Sequence, residues 1–73
     1  MSITDQLKRL GPGAKIVYLQ KEETGQVWCE IQLPRDRFTV SLTTEWGWTE
    51  DEAVANTVER ALAEFRREER GAA

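Results

Sequence analysis

The stretch WTEDEAVANTVERALAEF, residues 48–65, decides the fold. Thr49 is placed to cap a helix, and Glu52 three residues on completes a capping box. Ala53, Val54, Val58, Ala61, Leu62 and Phe65 then recur three or four apart, which sets them on one face of that helix. The spacing predicts a helix from Glu50 to about Glu69, within a segment 49–70. A helix with one apolar stripe needs a flat partner, and the residues before it supply a sheet.

Glu45-Trp46-Gly47-Trp48 reads as the link from sheet to helix, with Gly47 permitting a tight connection and Trp48 set to pack over the first helical turn. Before it, Phe38, Val40 and Leu42 alternate with Thr39, Ser41 and Thr43, and the apolar row is expected to face inward. Val27, Cys29, Ile31 and Leu33 form a second inward row, opposed by Trp28, Glu30 and Gln32. Lys15–Lys21 reads as a third strand, apolar on both sides (Ile16 and Tyr18 one way, Val17 and Leu19 the other), so its buried face stays open. The turns are Glu22-Glu23-Thr24-Gly25, where Gly25 can take positive φ, and Pro34-Arg35-Asp36-Arg37. At the start, Ser2 or Thr4 caps a short helix with Ile3, Leu7 and Leu10 on one stripe, and Gly11-Pro12-Gly13 stops it.

The expected architecture is α+β: an α-β-β-β-α order in one domain, a three-stranded antiparallel meander with two helices packed on one face. Its expected parts are residues 1–14 for the first helix and its stop, 15–44 for the sheet, 49–70 for the long helix and 71–73 for a tail. The face away from the helices is expected to be polar apart from Trp28.

The chain has 73 residues, so its core is thin, and a size like this invites dimerisation or a partner. One cysteine forbids an internal disulfide, which fits a reducing, cytoplasmic setting. Residues 1–11 lack the apolar centre of a signal peptide, and no run approaches the roughly 18 apolar residues of a membrane span. Thirteen acids stand against ten bases, and the net −3 falls wholly on Glu50, Asp51 and Glu52, since residues 1–48 and 59–73 each balance to zero. Acids there favour the positive end of the helix dipole, and the same patch repels phosphate and suits a basic partner.

Without histidine there is neither a His-based triad nor a His-containing metal site, and one cysteine cannot build a thiolate zinc cluster. Glu50, Asp51 and Glu52 are consecutive on a helix start and do not converge as an acid–base pair across a cleft. Cys29, in the inward row of its strand, reads as a buried, inert small residue. No enzyme activity, cofactor or metal is expected. The candidate partner-binding residues are Trp28, Glu45, Trp46, Trp48, Glu50, Asp51 and Glu52: tryptophans as anchors, acids to steer a basic partner.

The order α-β-β-β-α, with Gly47-Trp48-Thr49-Glu50-Asp51-Glu52-Ala53 leading into an Ala-rich helix, resembles the double-stranded RNA-binding domain. That family grips phosphates with lysines at the start of its second helix, where this chain has Glu50-Asp51-Glu52. The spacing of Gly47, Thr49, Glu52 and Ala53 is also similar to the helix start of HicB-like antitoxins, related to a partial RNase H fold. That likeness implies a protein-binding module against a small toxin, without hydrolytic activity of its own. Small acidic phage-encoded inhibitors of bacterial defence, anti-CRISPR proteins among them, belong to the same functional class. The leading expectation is a non-catalytic protein-interaction module that binds a basic surface, such as that of a nucleic-acid-binding protein. A homo-oligomeric structural protein is the second reading, using the sheet face around Trp28 or a strand edge, and duplex RNA binding the third.

Overall fold

The computed structural model describes residues 2–71. Its elements are α1 (Ile3–Lys8), β1 (Lys15–Lys21), β2 (Val27–Pro34), β3 (Val40–Gly47) and α2 (Glu50–Gly71). The strands pair antiparallel in the order β1-β2-β3, so β2 is central and β1 and β3 are edges. The expected α-β-β-β-α meander is therefore the observed one. Gly71 belongs to α2 rather than to a tail, and residues 72–73 lie outside the described residues.

Local chemistry accounts for the elements. Ser2 caps α1 by accepting from the Asp5 amide at 3.1 Å. Between β1 and β2 the Gly25 amide donates to the Glu22 carbonyl at 3.0 Å, with Gly25 at φ 91°, a conformation that favours glycine. At α2 the Thr49 cap forms, the Glu52 amide donating to Thr49 Oγ1 at 3.1 Å, while the Glu52 carboxylate accepts from the amide of Trp48, one residue before the cap, at 3.2 Å.

The core lies between β2 and α2. Val27, Cys29 and Ile31 pack against Ala53, Val54 and Val58, all buried. Ile3, Leu7 and Leu10 of the α1 region, and Ile16, Leu19 and Leu62, close its rim. An Arg9–Glu59 ion pair joins α1 to α2. At the far end Arg35 sits 5.1 Å over the Phe65 ring and donates twice to the Glu68 carboxylate, at 2.8 and 2.7 Å.

Two strands differ from expectation. In β1 the register shifts between Ile16 and Tyr18. Ile16 lies opposite Ile31 and Leu19 opposite Cys29, so both face the helices, while the bulge leaves Val17 44% exposed. One extra residue thus resolves a strand whose two faces were equally apolar.

β3 carries the larger correction. It begins at Val40 and runs through Gly47, so Glu45-Trp46-Gly47 is strand rather than link. Its faces are also reversed. Ser41, Thr43 and Gly47 lie opposite Leu33, Ile31 and Val27 and face the helix, whereas Val40 and Leu42 are 59% and 54% exposed and Phe38 is exposed in the turn. The cause is how closely α2 sits on this strand. A Cβ on Gly47 would lie 2.3 Å from the Ala53 amide nitrogen, inside any contact distance. Small residues fit under the helix there, and alternation sends the large ones to the far side.

This reversal buries a hydroxyl. Ser41 Oγ is inside and without a hydrogen-bond partner. Removing a buried, unsatisfied polar atom recovers its desolvation penalty. Ser41→Ala should therefore raise stability by about 1 kcal/mol, a rise of roughly 4–8 °C in Tm for a domain this size. Thermal unfolding followed by circular dichroism checks this; a lower Tm would mean the hydroxyl is bonded in solution.

Candidate protein-binding face

Helices cover one side of the sheet, and the other side is the candidate site. Sequence reasoning expected polar residues there. The phase of β3 puts Val40, Leu42, Thr44 and Trp46 on it instead, beside Trp28, Glu30 and Gln32 of β2 and Tyr18 of β1.

Trp28 and Trp46 are cross-strand partners, with ring centroids 4.5 Å apart and planes tilted by 56°. Such aromatic pairs add about 0.5–1.5 kcal/mol beyond their buried area. The Trp28 indole donates to Glu30 Oε2 at 2.7 Å, and Asn56 donates to the Trp46 carbonyl at 2.9 Å, tying this corner to α2. Trp28 is half-buried and Trp46 is 38% exposed. The pair is thus held rigidly at low entropic cost while still presenting aromatic surface.

Tyr18 donates to Glu22 Oε1 at 2.9 Å. That bond, with desolvation and the charges of Glu22 and Glu30, raises its pKa above that of an ordinary tyrosine. At the opposite end the Asp36 carboxylate accepts from the Phe38 and Thr39 amides at 2.8 and 2.9 Å, which lowers its pKa. This turn presents Phe38 at 92% exposure, beside Arg37.

The seven candidate residues separate into groups. Trp28 and Trp46 meet on the open face. Trp48 stands 65% exposed beyond the end of β3, so its expected packing over α2 leaves most of the ring in solvent. Glu50 and Asp51 are exposed and make no ion pair among the described residues. Glu52 is held by its cap bonds. Glu45 lies opposite Cys29, on the helix side, where its carboxylate is 3.3 Å from Arg60. The strand thus puts Glu45 on the side opposite the Trp46 ring, although its carboxylate accepts from the Trp46 amide at 3.0 Å.

Val40, Leu42 and Phe38 are the surface residues that sequence reasoning missed, having placed them in the core. The signal was Gly47: counting back by twos from a glycine that must sit under the helix selects Glu45, Thr43 and Ser41 as inward. Cys29 is fully buried, and burial is the main cause raising its thiol pKa, so the thiolate is disfavoured. Among the described residues no group of three or more metal-ligating side chains comes together, and no helix is long and apolar enough to cross a membrane.

Comparison with protein-family models, with curated proteins and with solved structures gives no match to this chain. The likenesses to the double-stranded RNA-binding domain and to HicB-like antitoxins therefore rest on element order and helix-start residues alone.

Proposed function

We propose that the protein is a non-catalytic interaction module whose working surface is the open sheet face. One observation carries this reading. The fold leaves Val40 and Leu42 more than half exposed, in line with the Trp28–Trp46 pair, on a side that no element covers among the described residues. A thin domain gains little from apolar residues kept in water, whereas a rigid aromatic anchor flanked by aliphatic surface is the usual core of a binding patch. Trp48, Glu50 and Asp51 add exposed aromatic and negative surface beyond the Gly47 end of β3, which suits a basic partner.

The non-catalytic part of the reading rests on the absence of histidine and on the burial of the one thiol. A phage-type inhibitor and an antitoxin are two settings for the same activity. Duplex RNA binding fits less well, because Glu50 and Asp51 stand where that family carries phosphate-gripping lysines.

The test is affinity capture with wild type, Trp46→Ala and a Glu50→Lys/Asp51→Lys variant, each first shown to be folded. Wild type is expected to retain a set of proteins that both variants lose. Equal recovery by all three would place the working surface elsewhere.

A further inference from the structure

We infer that the outer edge of β3 pairs with the same edge of a second copy, antiparallel and with Ser41 beside Ser41, so that two sheets become one. The direction of the backbone groups carries this. The Arg35 amide donates to the Thr39 carbonyl at 3.0 Å. Bonded pairs alternate along an antiparallel ladder, so Leu33–Ser41, Ile31–Thr43, Cys29–Glu45 and Val27–Gly47 are the bonded pairs of β2 and β3. The amides and carbonyls of Val40, Leu42, Thr44 and Trp46 therefore point away from β2, along the sheet edge.

Part of that edge is already closed. Asn56 donates to the Trp46 carbonyl at 2.9 Å, Glu45 accepts from the Trp46 amide at 3.0 Å, and Arg60 donates to the Thr44 carbonyl at 3.4 Å. Val40 and Leu42 have no partner among the described residues for either backbone group. The opposite edge of the sheet is guarded: β1 bulges between Ile16 and Tyr18 and carries Lys15 and Lys21 at its ends, features that discourage strand addition. The segment from Val40 to Thr44 pairs with β2 in regular register and holds neither charge nor proline.

The free groups select both the occupant and the register. In antiparallel pairing about Ser41, Val40 of each copy meets Leu42 of the other, and each such pair exchanges both of its backbone bonds. Pairing about Leu42 would require the Thr44 carbonyl, which Arg60 holds, and pairing about Thr43 would require the Trp46 groups as well. A second observation agrees. The register about Ser41 sets the two Ser41 side chains opposite each other in a non-bonded pair, where cross-strand side chains come closest and hydroxyls bond one another. Ser41 Oγ is the buried oxygen left without a partner in the single chain. Beside this edge α2 carries Arg60, Glu64 and Arg67 at helical spacing, with Arg60 and Glu64 3.6 Å apart, so both signs of charge border the axis. Such an interface is isologous, each contact occurring twice. It leaves the open face of each copy uncovered and makes the two faces continuous. The contact is short, below the roughly 1,200–2,000 Å² of a standard interface, so association is expected in the micromolar range or weaker.

Sedimentation equilibrium of the full chain over about 10–500 µM, the range that brackets such affinities, reads the outcome. Wild type is expected to pass from the 8.4 kDa monomer to twice that mass. Leu42→Pro removes an N–H that points out of an edge strand, where proline is tolerated. It should keep the circular-dichroism spectrum of wild type and weaken association at least about tenfold. Should it unfold, a synthetic chain methylated on the Leu42 nitrogen removes the same donor without the ring. Ser41→Cys should cross-link between copies in oxidised glutathione, because non-bonded partners stand about 4.5 Å apart at Cα, within disulfide reach. Thr44→Cys should not. A wild-type monomer throughout, or a dimer indifferent to loss of the Leu42 N–H, overturns the edge pairing. A dimer weakened by Trp46→Ala in place of Leu42→Pro is packed through the open face and overturns it too. Cross-linking at position 44 but not at 41 overturns the register.

Discussion

Gly47→Ala is expected to cost about 3 kcal/mol and to lower the unfolding midpoint steeply. Replacing glycine by alanine inside a strand normally favours the fold, by roughly 0.5–1 kcal/mol, because glycine loses more freedom on folding. Here the sign reverses. The added methyl would lie 2.3 Å from the nitrogen and 2.6 Å from the Cα of Ala53, and 2.8 Å from the carbonyl carbon of Glu52. All three are backbone atoms of α2, so no rotamer change relieves the clash. The helix must lift, and lifting separates Ala53 and Val54 from Val27 and Cys29. A domain of this size holds roughly 3–5 kcal/mol in total, so that loss takes most of it. Urea and thermal melts monitored at the tryptophans measure the effect. A variant melting within a few degrees of wild type would show that α2 sits farther from β3 than the structure places it.

Ile31→Ala is the second large effect, and it is read against Leu42→Ala. The two residues are similar aliphatics on neighbouring strands. Ile31 is fully buried at the centre of β2, beneath α2, whereas Leu42 is 54% exposed on the opposite face. Truncating Ile31 removes buried methylenes and leaves a cavity that the flanking backbone cannot fill, at a cost of about 2–5 kcal/mol. Truncating Leu42 in the monomer leaves no cavity and should stay within about 0.5 kcal/mol. Denaturant unfolding at low protein concentration gives both numbers. Equal costs would return Leu42 to the core and undo the assignment of the open face.

The contrast between these two residues marks how much could be read from the chain. β2 was legible because its four apolar residues alternate with Trp28, Glu30 and Gln32, so one phase buries far more apolar surface than the other. α2 was legible in the same way, from a stripe of period 3.6 behind a Thr49 cap that accepts from the Glu52 amide as expected, although Glu52 itself accepts from Trp48 rather than from Thr49. The acidic helix start and the capping role of Glu52 were visible too, though not that Glu50 and Asp51 make no ion pair among the described residues. In β3 the hydrophobic pattern favoured burying Phe38, Val40 and Leu42, and that phase is not the one adopted.

Local patterns in the sequence thus determined the order of elements, their caps and turns, and the buried faces of β2 and α2, because each depends on residues within a few positions of one another. Tertiary structure alone decided which way β3 faces and where β1 bulges. The facing of β3 depends on how near α2 comes to the sheet, a distance set where Gly47 meets the backbone of Ala53. Where two backbones nearly touch, the space available outweighs the gain from burying a larger side chain, and the displaced apolar surface becomes the face the protein offers to others.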